Sequence, residues 1–389
     1  MKAPQLSPPT QTLQQQQNQP VYTHKIIVIP GDGIGTEVMA EAEKIFQALN
    51  IPIQRDYVDW GIPHYLKTGA VTPENYIDIC KSYDAILLGS LGDPRTLPDY
   101  ITLEPLIQIR QQLDQFLCLR PARHFSGIPT PLKNSEIDVL VVRENSEGEY
   151  SNVGGFFKTG TPEEFAVESA IHTRRGIERV VRYAFEASRK RKSCVTLATK
   201  SNAMKFGMVL WDTVFETIAM EYPDVQAEKY YMDALCAAIV KNPTKFDVIV
   251  GSNLFCDIIS DLTVAVAGSL GIAPSANINP DRTFPSLFEP VHGSALDIAG
   301  KGICNPVGTI RAASMMLEFL GYSEESVLIE EIIQDSIAQK FTTIDIGGEK
   351  STTEVGDFIA RAIRMKKSCG SVSSSASNSK QRRTRHKNE

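Results

Sequence analysis

The chain has 389 residues, 42% hydrophobic and 22% charged, with a formal net charge of -6. That length corresponds to about two domains or one large α/β unit, and the apolar fraction excludes disorder along the whole chain. The Gly and Cys contents exclude collagen and disulfide scaffolds, no apolar run reaches the roughly 18–20 residues of a spanning helix, and the acidic balance argues against a protein devoted to nucleic acid.

Residues 1–23, rich in Gln and Pro, read as a disordered extension without the marks of a secretory signal or transit peptide. Lys25–Pro30 is a short apolar strand and Thr36–Leu49 an amphipathic helix. Ile53–Val58 alternates like a strand, Asp84–Gly89 is a buried strand, Leu103–Asp114 is helical and Phe116–Arg120 is extended again. Asp138–Val142 is another buried strand, and Pro162–Arg191 has helical periodicity throughout. Strands at Val195–Thr199, Val225–Met232 and Phe246–Gly251 alternate with helices near Met204–Glu221 and Ala234–Lys241, and the chain is mostly helical from Pro306. Such alternation predicts an α/β protein with a largely parallel sheet. Residues 366–389 hold seven Lys/Arg against one Glu, so the body is more acidic than the total suggests. This tail reads as solvated and disordered, with a tether for nucleic acid or an anionic surface as the competing reading.

Seven cysteines, none in a CxxC pair, fit no zinc pattern and point to the reducing cytosol, hence a cytoplasmic protein. Gly31-Asp32-Gly33-Ile34-Gly35 opens the first helix but lacks the last Gly of a dinucleotide fingerprint, so a plain strand–helix turn competes with a ligand loop. Arg110, Arg120 and Arg143 recur in apolar settings; converging, they would bind a small polycarboxylate, and separate ion pairs are the alternative. Asp257 and Asp261, four apart in an apolar helical run, repel unless something positive lies between them, and suit Mg²⁺ or Mn²⁺, with a surface or capping role as the alternative. Asp233 is a third carboxylate. Lys200, ending a strand, and Tyr150 are candidate proton carriers, with a surface lysine and a core-edge tyrosine as the plain alternatives. The stretch Phe288–Asp297 reads as a polar loop before a helix, in which His292 and Asp297 would hold an adenine and a ribose.

Taken together and in order, GDGIG, the three arginines, RENSEGEY, ATKSNAMK, GSNLFCDIISD and FEPVHGSALDIAGKGICNP resemble the β-decarboxylating dehydrogenases, the family of isocitrate, 3-isopropylmalate, tartrate and D-malate dehydrogenases. The resemblance spans about Lys25 to Ile363. It implies a two-domain isopropylmalate dehydrogenase-like fold, not a Rossmann fold. Its large, discontinuous cofactor-binding domain would be residues 24–115 and 268–365. Its small domain, 116–267, would carry the interface of a homodimer with shared active sites.

By motif, the resemblance implies that Arg110, Arg120, Arg143 and Asn202 bind substrate, with Leu106 and Ile107 facing its variable group. Asp257 and Asp261, with Asp233 from the second subunit, would hold Mg²⁺ or Mn²⁺. Tyr150, Lys200 and Asp233 would move protons, Lys200 crossing the interface. NAD would lie against Ile34, Glu289, His292, Gly293, Ser294, Ala295, Asp297 and Asn305. Asp297 stands where NAD-using members accept from the adenosine ribose, and a carboxylate there would repel the 2′-phosphate of NADP. Glu104 and Leu106 occupy the positions at which isocitrate dehydrogenases grip a third carboxylate, which disfavours isocitrate. Segments such as Val58-Asp59-Trp60 and Thr173-Arg174-Arg175-Gly176 resemble the tartrate and D-malate members, although Leu103 replaces their usual Trp. The activity implied is oxidative decarboxylation of a 2-hydroxy diacid, D-malate first and tartrate next, with 3-isopropylmalate as the alternative. A catalytically silent subunit would be expected to have lost a metal Asp, the Lys or an Arg, and all are present.

Overall fold

The computed structural model describes residues 22–132 and 136–385, with side chains to Ser368. The expected extension at 1–23 therefore lies almost wholly outside the described residues.

In chain order the elements are β1 (His24–Gly31), α1 (Gly35–Leu49), β2 (Ile53–Tyr57), α2 (Ile62–Thr68), α3 (Tyr76–Lys81), β3 (Ala85–Ser90), α4 (Asp99–Thr102), α5 (Glu104–Gln112), β4 (Leu117–Arg123) and β5 (Asp138–Glu144). Then come β6 (Gly154–Phe157), β7 (Phe165–Glu168), α6 (Arg174–Arg189), β8 (Cys194–Thr199), α7 (Gly207–Ala219), β9 (Gln226–Tyr231), α8 (Met232–Lys241), β10 (Val248–Gly251) and α9 (Asn253–Ala267). The chain closes with β11 (Pro274–Ile278), β12 (Ser286–Pro290), α10 (Val307–Phe319), α11 (Ser323–Ala338) and α12 (Thr352–Arg385). α12 runs past residue 365, so the basic stretch continues as helix to Arg385 instead of forming a tail without structure from 366.

Ten strands form one sheet in the order β2-β1-β3-β12-β11-β4-β5-β10-β8-β9. β2, β1, β3 and β12 are parallel, as are β5, β10, β8 and β9. Between these blocks, β12–β11, β11–β4 and β4–β5 pair antiparallel. The sheet is thus largely parallel, as the sequence predicts, with antiparallel pairing confined to its centre.

Inner strands such as β1, β3, β5 and β10 are apolar on both faces because both faces are covered, whereas the edge strands β2 and β9 are polar. Side chains alternate across a pleated strand, so Ile26 and Val28 enter one core and Ile27 and Ile29 another. Val139, Val141 and Ile249 pack with Leu235, Cys256 and Ile259 of α8 and α9, while Val248 and Val250 face α6 and α7. The six cysteines whose side chains are described are all free thiols.

The helix expected over Pro162–Arg191 is a correction. Its first part holds β7, the second strand of the β6–β7 hairpin, and α6 begins only at Arg174, where the Thr173 hydroxyl accepts from the Gly176 N–H. Phe288–Asp297 also begins as strand, not loop: β12 runs to Pro290 before the polar loop starts.

Candidate active site

Arg120 pairs across the ladder with Val141, and Arg143 lies two residues beyond Val141 on β5. The two-residue period of a strand therefore puts both guanidiniums on the same face of the sheet. α9 packs on that face and lowers Asp257 onto both. One oxygen of Asp257 accepts from Arg120 Nη1 at 2.9 Å and from Arg143 Nη1, and the other accepts from the Tyr150 hydroxyl at 3.0 Å. Asp261, one turn along α9, lies 3.4 Å from Arg120 Nη1. A guanidinium thus sits between the two carboxylates, as their spacing demands. Arg110, from α5, donates to Glu289 on β12 at 2.9 Å, and Asn277 on β11 donates to the same oxygen at 2.7 Å.

These groups line a cavity of about 400 Å³. Arg110, Arg120, Arg143, Tyr150, Asp257 and Glu289 form its polar side, and Leu91, Leu103, Leu106 and Ile107 form an apolar wall. Nε of Arg110 and of Arg120 is buried and, among the described residues, has no hydrogen-bond partner. Arg143 is fully buried and held by Asn253 Oδ1, which accepts from its Nε at 2.9 Å and its Nη2 at 2.7 Å.

Burial works against the charge on Asp257, but Arg143 and Arg120 outweigh it and hold the carboxyl below its ordinary range. Burial pushes the Asp261 carboxyl up; Arg120 opposes this and the charge of Asp257 adds to it. Burial, then Asp257, push the Tyr150 phenol up, so it keeps its proton at neutral pH. Burial, then neighbouring Arg120, push the Arg143 guanidinium down from its ordinary value.

The glycine-rich turn packs against the loop after β12. Gly33 has φ +56°, and a Cβ there would lie 2.1 Å from the Ser294 carbonyl oxygen; that oxygen accepts from the Ile34 N–H at 2.9 Å. The turn's glycines thus allow two loops to meet. His292 and Gly293 reach the cavity. His292 Nε2 and Ser294 Oγ are buried without partners among the described residues, and Ala295 has φ 39°. Buried, unsatisfied polar atoms are costly unless something bonds them, so this loop fits a nucleotide. Asp297 is exposed on the same loop. Asn305 is buried and already engaged: its amide donates to Asp345 and its oxygen accepts from the Val307 N–H.

Lys200, Asn202 and Asp233 do not join this cavity within one chain. Lys200 Nζ donates to Asp233 at 2.7 Å, which holds that carboxyl below its ordinary range, and Asn202 lies exposed nearby. Among the described residues no three His, Cys, Asp or Glu side chains gather as a metal centre. The residues present fit a divalent ion as two carboxylate ligands on one helix face, with further ligands to come from elsewhere.

Asn253, Ser260 and Glu289 hold the arginines, and the sequence reading assigns none of them that role. Asn253 is four residues before Asp257 and Ser260 three after it, so helical spacing alone places both on its face. Ser260 Oγ accepts from Arg120 at 2.9 Å.

The chain's residues 25–359 match the model of the isocitrate/isopropylmalate dehydrogenase family. The D-malate dehydrogenase (decarboxylating) of Escherichia coli strain K12 is 44% identical over 356 residues, covering 88% of this chain and 99% of that protein. The tartrate dehydrogenase/decarboxylase of Pseudomonas putida is 44% identical over 360 residues, with 88% and 99% covered. Among solved structures, isocitrate dehydrogenase from Methylococcus capsulatus superposes with a TM-score of 0.82 at 35% identity, covering 88% of this chain and all of that one. By the family match and by these relatives alike, the chain belongs to the isocitrate/isopropylmalate dehydrogenase family.

Proposed function

We propose that the protein is an NAD-dependent decarboxylating dehydrogenase of a small 2-hydroxy diacid, D-malate foremost and tartrate next, using Mg²⁺ or Mn²⁺. The observation that carries this reading is the cavity itself: three converging guanidiniums, two with an unpartnered buried Nε, beside an ionised Asp257 and a protonated Tyr150. The relatives named above supply the substrates.

When bound, a divalent ion supplies a Lewis acid and NAD accepts hydride. Arg110, Arg120 and Arg143 bind and orient the two carboxylates of the substrate. Asp257 and Asp261 hold the ion, with Asp233. Lys200, partnered by Asp233, takes the hydroxyl proton as the C2 hydrogen leaves as hydride. Tyr150 returns a proton to the carbon that CO₂ has left. Ile34, His292, Gly293, Ser294, Ala295 and Asp297 carry the nucleotide, and Asn305 braces that region.

We propose the two-domain division given by the resemblance, and a homodimer in which Lys200, Asn202 and Asp233 serve the cavity of the second copy. The β6–β7 hairpin supports this. A lone two-stranded ribbon is marginal in water, and this one exposes Phe156, Phe165 and Val167. Ile258 on α9, between the two acidic residues, is exposed as well.

The apolar wall of Leu91, Leu103, Leu106 and Ile107 favours one second reading, 3-isopropylmalate. The test compares kcat/KM for D-malate, tartrate, 3-isopropylmalate and isocitrate with NAD⁺ and Mn²⁺. A preference of more than about tenfold for 3-isopropylmalate, roughly 1.4 kcal/mol of discrimination, would replace the substrate assignment. Activity with NADP⁺ alone would refute the role of Asp297.

A further inference from the structure

Lys200 stands at the end of β8, in a turn that leads to α7. Its backbone oxygen accepts from the N–H groups of Ala203 and Met204 at 3.0 and 2.9 Å. Both residues beside it are tied to one carboxylate. The Thr199 hydroxyl donates to Asp212 Oδ1 at 2.6 Å, and the Ser201 hydroxyl donates to Asp212 Oδ2 at 2.8 Å. Asp212, on the first turns of α7, is buried, and Thr199 is fully buried. Lys229 Nζ, from β9, donates to Asp212 Oδ2 at 2.9 Å and to Glu216 at 2.6 Å, so the buried charge is compensated. β9 also pairs Tyr231 with Thr199, which brings Asp233 within reach of Lys200.

We propose that Asp212 is a positioning residue for Lys200. This rests on the reading of Lys200 as the proton carrier. One carboxylate accepts from a hydroxyl on each side of the lysine and so fixes the backbone from which its side chain leaves. An apolar residue at 212 could not hold both hydroxyls. An amide would offer a single acceptor oxygen, and its NH₂ would face the Lys229 ammonium or a hydroxyl. Asp212 touches neither the arginine cavity nor the nucleotide loop, so its loss acts on proton transfer and not on substrate binding.

The experiment is a double-mutant cycle between Asp212→Ala and Lys200→Ala, run as the full chain with NAD⁺, Mn²⁺ and whichever of the four diacids wild type turns over fastest. Misplacing a reacting group by about 1 Å costs on the order of 10²-fold. Asp212→Ala is therefore expected to lower kcat by about that factor while KM for the diacid stays near wild type. In the Lys200→Ala background the same substitution is expected to change kcat hardly at all, because its route is already gone. Ser201→Ala, which leaves the carboxylate and its Lys229 partner in place, is expected to show a smaller kcat loss in the same direction and guards against poor folding of Asp212→Ala. Asp212→Asn should recover part of the loss. Equal kcat losses from Asp212→Ala in both backgrounds would overturn the proposal, as would a loss confined to KM or full turnover in both Asp212→Ala and Ser201→Ala. Full turnover in Lys200→Ala would instead sink the assignment of Lys200, and the role of Asp212 with it.

Discussion

Asp257→Asn perturbs the cavity at its most connected point. The carboxylate accepts from Arg120, Arg143 and Tyr150, and with Glu289 it faces three guanidiniums. Removing its charge leaves Arg120 and Arg143 close together with one fewer counter-charge. Breaking a fully buried pair costs about 3–5 kcal/mol. The two arginine side chains are 9% and 2% exposed, but Asp257 is 30% exposed, so water recovers part of that loss. The amide oxygen of Asn keeps one acceptor, and each charge-assisted hydrogen bond forfeited is worth about 1.5–3 kcal/mol. The expected destabilisation is therefore about 2–3 kcal/mol. It would appear in urea unfolding without ligands as a lower midpoint at unchanged slope. Turnover should fall by about 10²–10³-fold or more, since a charge the reaction uses is gone. A midpoint equal to or above wild type would refute the reasoning, because the arginines would then not depend on this carboxylate.

Tyr150→Phe should lower kcat by about 10²–10⁴-fold, the range for one proton-transfer group, while a single-turnover burst of NADH persists; wild-type kcat would remove Tyr150 from the mechanism. Chelation by EDTA should abolish steady-state turnover and Mn²⁺ should restore it, with Asp261→Asn shifting the Mn²⁺ titration to higher concentration; activity that survives exhaustive chelation would contradict the carboxylate assignment. Burial pushes both His172 and His292 below the ordinary 6.5, and His172 Nδ1 accepts from Trp211 Nε1 at 3.3 Å, which protonation there would forbid. The unfolded chain thus binds more protons below pH 6.5. Stability should be full above that pH and should fall as the pH drops through the folded-state values, by up to about 1.4 kcal/mol per pH unit for each histidine. Urea midpoints of His172→Gln that show the same acid slope as wild type would dismiss its share.

The chemistry of the site was legible because it is carried by unusual residues in apolar text: arginines ending buried strands and two acids one helical turn apart. What holds those residues was harder to read. Ser275 and Asn277 are fully buried on β11, where their polarity suggests a surface loop, and only tertiary hydrogen bonds make the strand possible. β12 is five residues ending at Pro290, too short to separate from the loop that follows. β7 reads as the start of the helix that follows it, and its exposure removes the core contacts that would otherwise fix a strand period. Glu289, expected against the nucleotide, has one oxygen that accepts from both Arg110 and Asn277. No local pattern announces a partner 179 residues away.

The long-range ladders of the sheet also predict an order in which the protein assembles. Within each parallel block some ladders join successive strands, β1 with β2 and β8 with β9, whose contacts are comparatively local. Other ladders pair distant parts of the chain: Ala85 with Ser286 and Leu140 with Val248 inside the blocks, and Leu119 with Ala276 at the centre. Loop closure makes such pairings late and slow. Arg110, Arg120 and Glu289 meet only when those ladders close. During refolding from urea, recovery of helical circular dichroism should therefore run ahead of recovery of activity. The catalytic centre would be the final seam of the fold, closed after the parts on either side of it have formed.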